Sequence, residues 1–160
     1  MTTAPVAATT GRSVVHASFV LERIYPVTPG RVFLAWSDAE AKARWFSCHE
    51  GYTLDFRVGG RESNRGGPPG GPVYACDALF HDIVPNERIV YSYDLRRDDT
   101  LISVSLVTVE FTPVEGGTRL VFTEQGAFLD GHDTPGHREH GTRLGFERLL
   151  AELERAACET

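Results

Sequence analysis

The residue in this sequence best placed to do acid–base chemistry is Glu124. In the segment Thr118 to Gln125, Leu120, Phe122 and Glu124 recur at period two, so on a strand they share one face. A carboxyl group in line with two core residues either leaves the core and meets water, or is buried. Buried without a cationic partner, it would have a raised pKa and could exchange protons near neutral pH. His132, His137 and His140 form the second cluster, with Asp130, Asp133 and Glu139 interleaved. His137 and His140 are one helical turn apart, a spacing that suits two ligands of one metal. The string GHDTPGHREH is equally what a polar lead into a helix looks like, with acidic residues at its positive end. No HExxH or comparable pattern accompanies the histidines, so no metal and no cofactor are expected. A nucleophile is not evident either: there is no GxSxG, and Cys48 and Cys76 have no catalytic context. The glycine-rich stretches lack a following Lys-Ser/Thr and make a poor phosphate cradle. On motifs alone, no reaction is named, and Glu124 stands as the best catalytic candidate.

These groups must be carried by a scaffold of 160 residues, the length of a single domain. Residues 1 to 13 are rich in Ala, Thr and Pro and read as a loose tail, leaving 14–157 as the domain. They also lack the charged and apolar regions of a secretory signal. A net charge of −6 argues against nucleic acid or an anionic membrane as the partner. No apolar run approaches the ~18 residues that span a bilayer. Three widely spaced cysteines without CxxC spacing suit a reduced, cytoplasmic protein.

Val14 to Tyr25 reads as a strand stopped by Pro26. Thr28 and Pro29 open a short helix as cap and first residue, with Val32, Phe33 and Trp36 on one side. Ser37-Asp38-Ala39-Glu40 reads as a capping box for a second short helix ending near Trp45. Strands follow over 52–58 and 61–65 about a two-residue hairpin at Gly59-Gly60, then a mobile GGPPGGP loop at 66–72. Further strands are expected at 73–84, 87–95, 101–112 and 118–125, with a polar turn at 96–100. Pro135 to about Ala157 reads as a long helix with an apolar stripe of Leu144, Phe146, Leu149, Leu150 and Leu153. One strand, two helices, six strands and a long helix imply an antiparallel α+β fold.

Two features point to internal space. On the strand 101–112, Val107, Val109 and Phe111 share a face that, carried back at period two, holds Ser105, Ser103 and Leu101. Small polar residues on a packing face leave room. Gly141 and Gly145 share one face of the long helix, where glycine costs about 1 kcal/mol against alanine. They allow either tight packing on the sheet or room for a ligand. Ile102, Val104 and Leu106 would form an apolar row on the opposite sheet face, an interface with a second copy or a surface for helix packing.

The order of these pieces resembles the START-like (SRPBCC, helix-grip) superfamily. The branch is similar to the C-terminal domain of the activator of the heat-shock-protein-90 ATPase. The likeness rests on LERIYPVTPGRVFLAWSDAEAKARWF, on Asp-x-Arg-x-Gly-Gly-Arg at 55–61, on Ile-x-Pro-x-Glu-Arg-Ile-Val-Tyr at 83–91, on Gly-Thr-Arg-Leu at 117–120 and on Glu-x-Gly at 124–126. It implies a curved sheet of about seven strands gripping the C-terminal helix, with a pocket between them for a small hydrophobic molecule. Such pockets serve binding, and in some relatives cyclase or hydrolase chemistry. The alternative is a protein-interaction module of the co-chaperone, stress-response kind. A homodimer is a third expectation. The pocket is expected to use Trp36, Trp45, Tyr91, Tyr93, Ser103, Ser105, Phe122, Glu124, His137, Gly141 and Gly145.

Overall fold

A computed structural model describes residues 11–46 and 51–158, so the expectations for residues 1–10 and for Cys48 and His49 lie outside the described residues. Strand β1 (Val14–Tyr25) is followed by helices α1 (Pro29–Ser37) and α2 (Ala39–Trp45). Six strands come next: β2 (Thr53–Leu54), β3 (Arg61–Gly66), β4 (Tyr74–Val84), β5 (Arg88–Arg97), β6 (Thr100–Val114) and β7 (Gly117–Leu129). Helix α3 (Pro135–Cys158) is the last described element. The strands form one antiparallel sheet in the order β1-β7-β6-β5-β4-β3-β2, so the first strand closes against the last. This is the α+β, helix-grip arrangement the segment order implied.

The core lies between the inner face of the sheet and the three helices. Leu21, Phe80, Ile89, Val107, Val109, Phe111, Leu120 and Phe122 project from the strands. Val32, Phe33 and Trp36 from α1 and Phe146, Leu149 and Leu153 from α3 meet them. Leu150 is only partly buried and Leu144 is exposed, so the apolar stripe of α3 is narrower than the sequence pattern suggested. The Tyr25 hydroxyl donates to the Phe146 carbonyl at 3.3 Å and Arg148 Nε donates to the Trp45 carbonyl at 2.9 Å. These bonds fasten the middle of α3 to β1 and to the end of α2.

Several element boundaries move, each for a local reason. The strand expected over 52–58 keeps only Thr53 and Leu54, because Gly59 N donates to Phe80 O at 2.8 Å and Phe80 N to Gly60 O at 3.0 Å. The two glycines bond to β4 instead of forming a tight hairpin. A Cβ at Gly60 would stand 2.1 Å from the Asp55 carbonyl, which no side chain tolerates. Residues 96 and 97 stay in β5, and the hairpin to β6 turns at Asp98, which adopts a positive φ of 52°. Strand β7 runs four residues past Gln125 and pairs with β1 to its end, Val14 opposite Leu129. Gly126 does not break it. A Cβ there would be 2.9 Å from the Phe128 ring and 3.0 Å from Ser105 Oγ, so the glycine admits that ring.

The phase of β6 also changes. Between Leu95 and Arg96 the β5–β6 register slips, pairing Leu95 with Ser103 but Arg96 with Leu101. A bulge of this kind puts two consecutive residues on one side. Ile102 and Ser103 are both buried, so Ile102 turns inward instead of joining Val104 and Leu106, which stay exposed outside.

The helix cap is the other correction. Ser37 closes α1, and the cap of α2 is Asp38, whose Oδ2 accepts from Ala41 N at 2.9 Å. Replacing Asp38 with alanine should therefore cost about 1 kcal/mol, the usual loss for an N-cap. Ser37→Ala should cost far less, and urea unfolding of the two variants measures the difference.

Candidate functional site

A cavity of about 470 Å³ lies between the sheet and α3. Trp36, Trp45, Phe46, Ala78, Tyr91, Ile102, Phe122 and Phe146 give it apolar walls, within the size range of small-molecule sites. Of the residues expected at a pocket, Trp36, Trp45, Tyr91, Tyr93, Phe122, Glu124, His137, Gly141 and Gly145 all line this space. The two helix glycines do not pack tightly on the sheet. A Cβ at Gly141 would meet nothing, and one at Gly145 would find only Arg148 Nη2, at 3.7 Å. Their missing side chains open the cavity.

Ser103 and Ser105 are not on its wall, although both point inward and are buried. The room that Ser103 leaves is taken by Arg138, whose Nη2 donates to Ser103 Oγ at 2.6 Å. Ser105 Oγ sits against Gly126 and has no hydrogen-bond partner. The space inferred from these two serines is filled by protein.

Arg138 is the functional group that the sequence reading passed over. It lies in the first turns of α3, three and seven residues before Gly141 and Gly145, so helical periodicity puts it on their face. Its Nη1 donates to the Tyr93 hydroxyl at 2.7 Å and to Glu124 Oε1 at 3.1 Å. Its Nη2 donates to Ser103 and, at 3.0 Å, to Asp133 Oδ2. The Tyr93 hydroxyl in turn donates to Glu124 Oε1 at 2.5 Å.

Glu124 is 1% exposed, so alternation along β7 does bury it. It is not held without a cationic partner, however: Arg138 Nη1 stands 3.1 Å from its Oε1. Burial disfavours the charge on Arg138, yet Tyr93, Glu124 and Asp133 outweigh that and hold its pKa above the usual value. Burial likewise opposes ionisation of Asp133. Hydrogen bonds from His137, from the Thr134 amide and from Arg138 win, and its pKa lies below the usual carboxylate value. Desolvation, reinforced by the neighbouring Glu124, pushes the Tyr93 phenol well up.

A second buried ion pair lies deeper. Lys42 Nζ stands 2.8 Å from each oxygen of Glu62, with both side chains almost wholly inaccessible. The Tyr52 hydroxyl also donates to Glu62. The rings of Trp36, Phe46 and Tyr91 surround the ammonium at 5.4, 4.9 and 5.8 Å from their centroids. Glu62 borders the cavity, so the space has a carboxylate, a cation and a phenol at each of two places.

The three histidines do not converge. His137 Nδ1 pairs with Asp133 at 2.8 Å and His132 Nδ1 with Arg97 at 3.2 Å. No group of three or more His, Cys, Asp or Glu residues able to hold a metal occurs among the described residues. Cys76 borders the cavity, but desolvation, with Glu62 adding to it, pushes its thiol up to about 12. It stays a thiol and is a weak nucleophile.

Removing Arg138 should strand two buried carboxylates. Arg138→Met is expected to cost about 3–5 kcal/mol of stability. Adding Glu124→Leu should recover part of that loss. A double-mutant cycle by urea unfolding reads the coupling.

The sequence profile of the family described as "Activator of Hsp90 ATPase homolog 1-like protein" matches residues 26–157. A solved protein of Rhizobium leguminosarum is 48% identical, with 90% of this chain and 98% of that one aligned and a TM-score of 0.86. The Mll3558 protein of Rhizobium loti is 49% identical over 88% of this chain and 99% of its own, with a TM-score of 0.84. An Activator-of-Hsp90-ATPase-homolog-1-like (AHSA1-like) protein from Aeromonas hydrophila shares the fold, at 20% identity, 88% and 94% coverage and a TM-score of 0.65. No curated protein matches the chain. Among the described residues no helix is long and apolar enough to cross a membrane.

Proposed function

The chain belongs to the Activator of Hsp90 ATPase homolog 1-like family, and on that premise we propose that it binds a small hydrophobic molecule in the cavity between its sheet and α3. The observation that carries this reading is the pair of glycines. Gly141 and Gly145 border the cavity, Gly145 buried and Gly141 where it opens to solvent; both lie inside a helix where glycine is costly, and both have room for a side chain. Packing gives no reason for glycine at either position, whereas a ligand resting against the helix does. The aromatic walls supply the apolar contact, and Glu124, Tyr91 and Tyr93 supply a few polar groups that could orient a ligand.

If turnover accompanies binding, in the manner of a cyclase or hydrolase, Glu124 is the group positioned to accept a proton. With Cys76 held as a thiol, a covalent intermediate on that residue is disfavoured. A second reading, an interaction module or homodimer, draws on the outer sheet face, where Val20, Ile24, Val104 and Leu106 are exposed. His16, Ser18 and Gln125 lie among them on that face, where they line a more open and less apolar depression of about 590 Å³.

The cavity reading predicts opposite effects from one substitution. Gly145→Leu should leave the fold intact and raise helix stability by up to ~1 kcal/mol. It should also weaken binding of an apolar fluorescent probe by an order of magnitude or more. Titration followed by quenching of Trp36 and Trp45 emission measures this. Unchanged probe affinity in the stabilised variant would count against the cavity as the binding site.

A further inference from the structure

The polar groups at the cavity are unevenly matched, and the imbalance indicates what a ligand must bring. Arg138 has four terminal N–H groups, and four acceptors take them: Tyr93, Glu124, Ser103 and Asp133. Lys42 is committed to both oxygens of Glu62 inside its cage of rings. The cavity therefore has two buried cations and neither presents a spare terminal donor. Arg97 and Arg148 also border the cavity, away from the buried pairs, and each commits one nitrogen, Arg97 Nη2 to His132 and Arg148 Nε to the Trp45 carbonyl.

The acceptor side differs. Both protein donors to Glu124, the Tyr93 hydroxyl and Arg138 Nη1, go to Oε1. Oε2 has no partner among the described residues, and unlike Ser105 Oγ it is not sealed off within packed protein. It belongs to a side chain that is 1% exposed and borders the cavity. A carboxylate oxygen left without a donor in such a place is costly, and a ligand donor would remove that cost. Among the described residues the Tyr91 hydroxyl also lacks a partner, as does Trp36 Nε1, which like Ser105 Oγ is sealed within packed protein.

Resting on the cavity reading, we propose that the site selects hydrophobic molecules carrying a protonated amine, and after them a hydroxyl, over those carrying a carboxylate, with Glu124 Oε2 as the acceptor. An ammonium there gains a charge-assisted hydrogen bond. Trp36, Tyr91 and Phe122 border the same cavity, and aromatic rings attract a cation. A carboxylate in the same position is repelled by Glu124, and the adjacent Arg138 has no terminal donor left to offer it. Fatty acids and other apolar acids are thereby disfavoured, although the walls would accept their chains.

Three probes with one apolar body decide the matter: naphthylethylamine, naphthylethanol and naphthylacetate, titrated calorimetrically at neutral pH, with methylnaphthalene as the uncharged reference. The amine should bind most tightly and the acetate about tenfold or more weaker, the scale of one charge-assisted hydrogen bond. In Glu124→Gln, with its fold verified by circular dichroism, the advantage of the amine over the alcohol should disappear. Acetate binding as tightly as amine in the unmodified protein overturns the proposal without recourse to a variant. So does methylnaphthalene binding as well as the amine, a result that leaves the cavity reading standing. Failure of all four probes to bind removes that reading and the proposal with it.

Discussion

One guanidinium organises the cavity-facing half of this molecule. Arg138 reaches down from the start of α3 and is met by acceptors from β5, β6, β7 and from the loop before its own helix. A charge that is 10% exposed persists only where each of its donors is matched, because an uncompensated buried ion costs several kcal/mol. Matching them fixes how high the helix rides above the sheet and which of its faces looks down. Gly141 and Gly145 follow on that same face, so the helix is held at a distance and leaves its side chains out. The cavity is the consequence of both conditions together.

The remaining half of α3 is fixed differently. Phe146, Leu149 and Leu153 pack among the rings of α1 and the sheet, while Arg44 and Arg155 pair with the nearly buried Glu152. Trp36 connects the two regimes. Its ring contacts Trp45, Phe111, Phe122 and Phe146, and it also borders the cavity. That wall of the cavity is therefore also the centre of the core. The Lys42–Glu62 pair plays for α2 and β3 the part that Arg138 plays for α3, tying a helix to a strand below the cavity with charges that water does not reach. Both arrangements use a carboxylate, a cation and a phenol, and they differ in what is left over. Glu62 spends both oxygens, whereas Glu124 keeps one.

The architecture was legible in the sequence because it rests on short-range signals. The Pro26 stop, the Thr28 cap and the long α3 pattern each depend on neighbouring residues and each holds. Glu124 and the helix glycines were also readable, since a period of two and a spacing of four assign faces directly. What escaped was set by contacts distant in the chain. The inward turn of Ile102 comes from a register slip against β5, and Gly126 lies within a strand because Phe128 needs its space. Ser103 and Ser105 suggested a void because sequence shows the size of a side chain and not what packs against it. Arg138 could have been found by asking which residue shares the glycine face one turn earlier. Its role as the filler of the serine gap could not, because the partners lie on three separate strands.

All of this depends on the cavity being real, apolar space, held open by the anchored helix. A crystal pressurised with xenon tests that directly, since xenon occupies dry apolar cavities and scatters strongly. Anomalous density is predicted between Trp36, Phe122 and Gly145, beneath the first half of α3. A map with no xenon there, and with side chains or the helix itself collapsed into the space, would contradict the account.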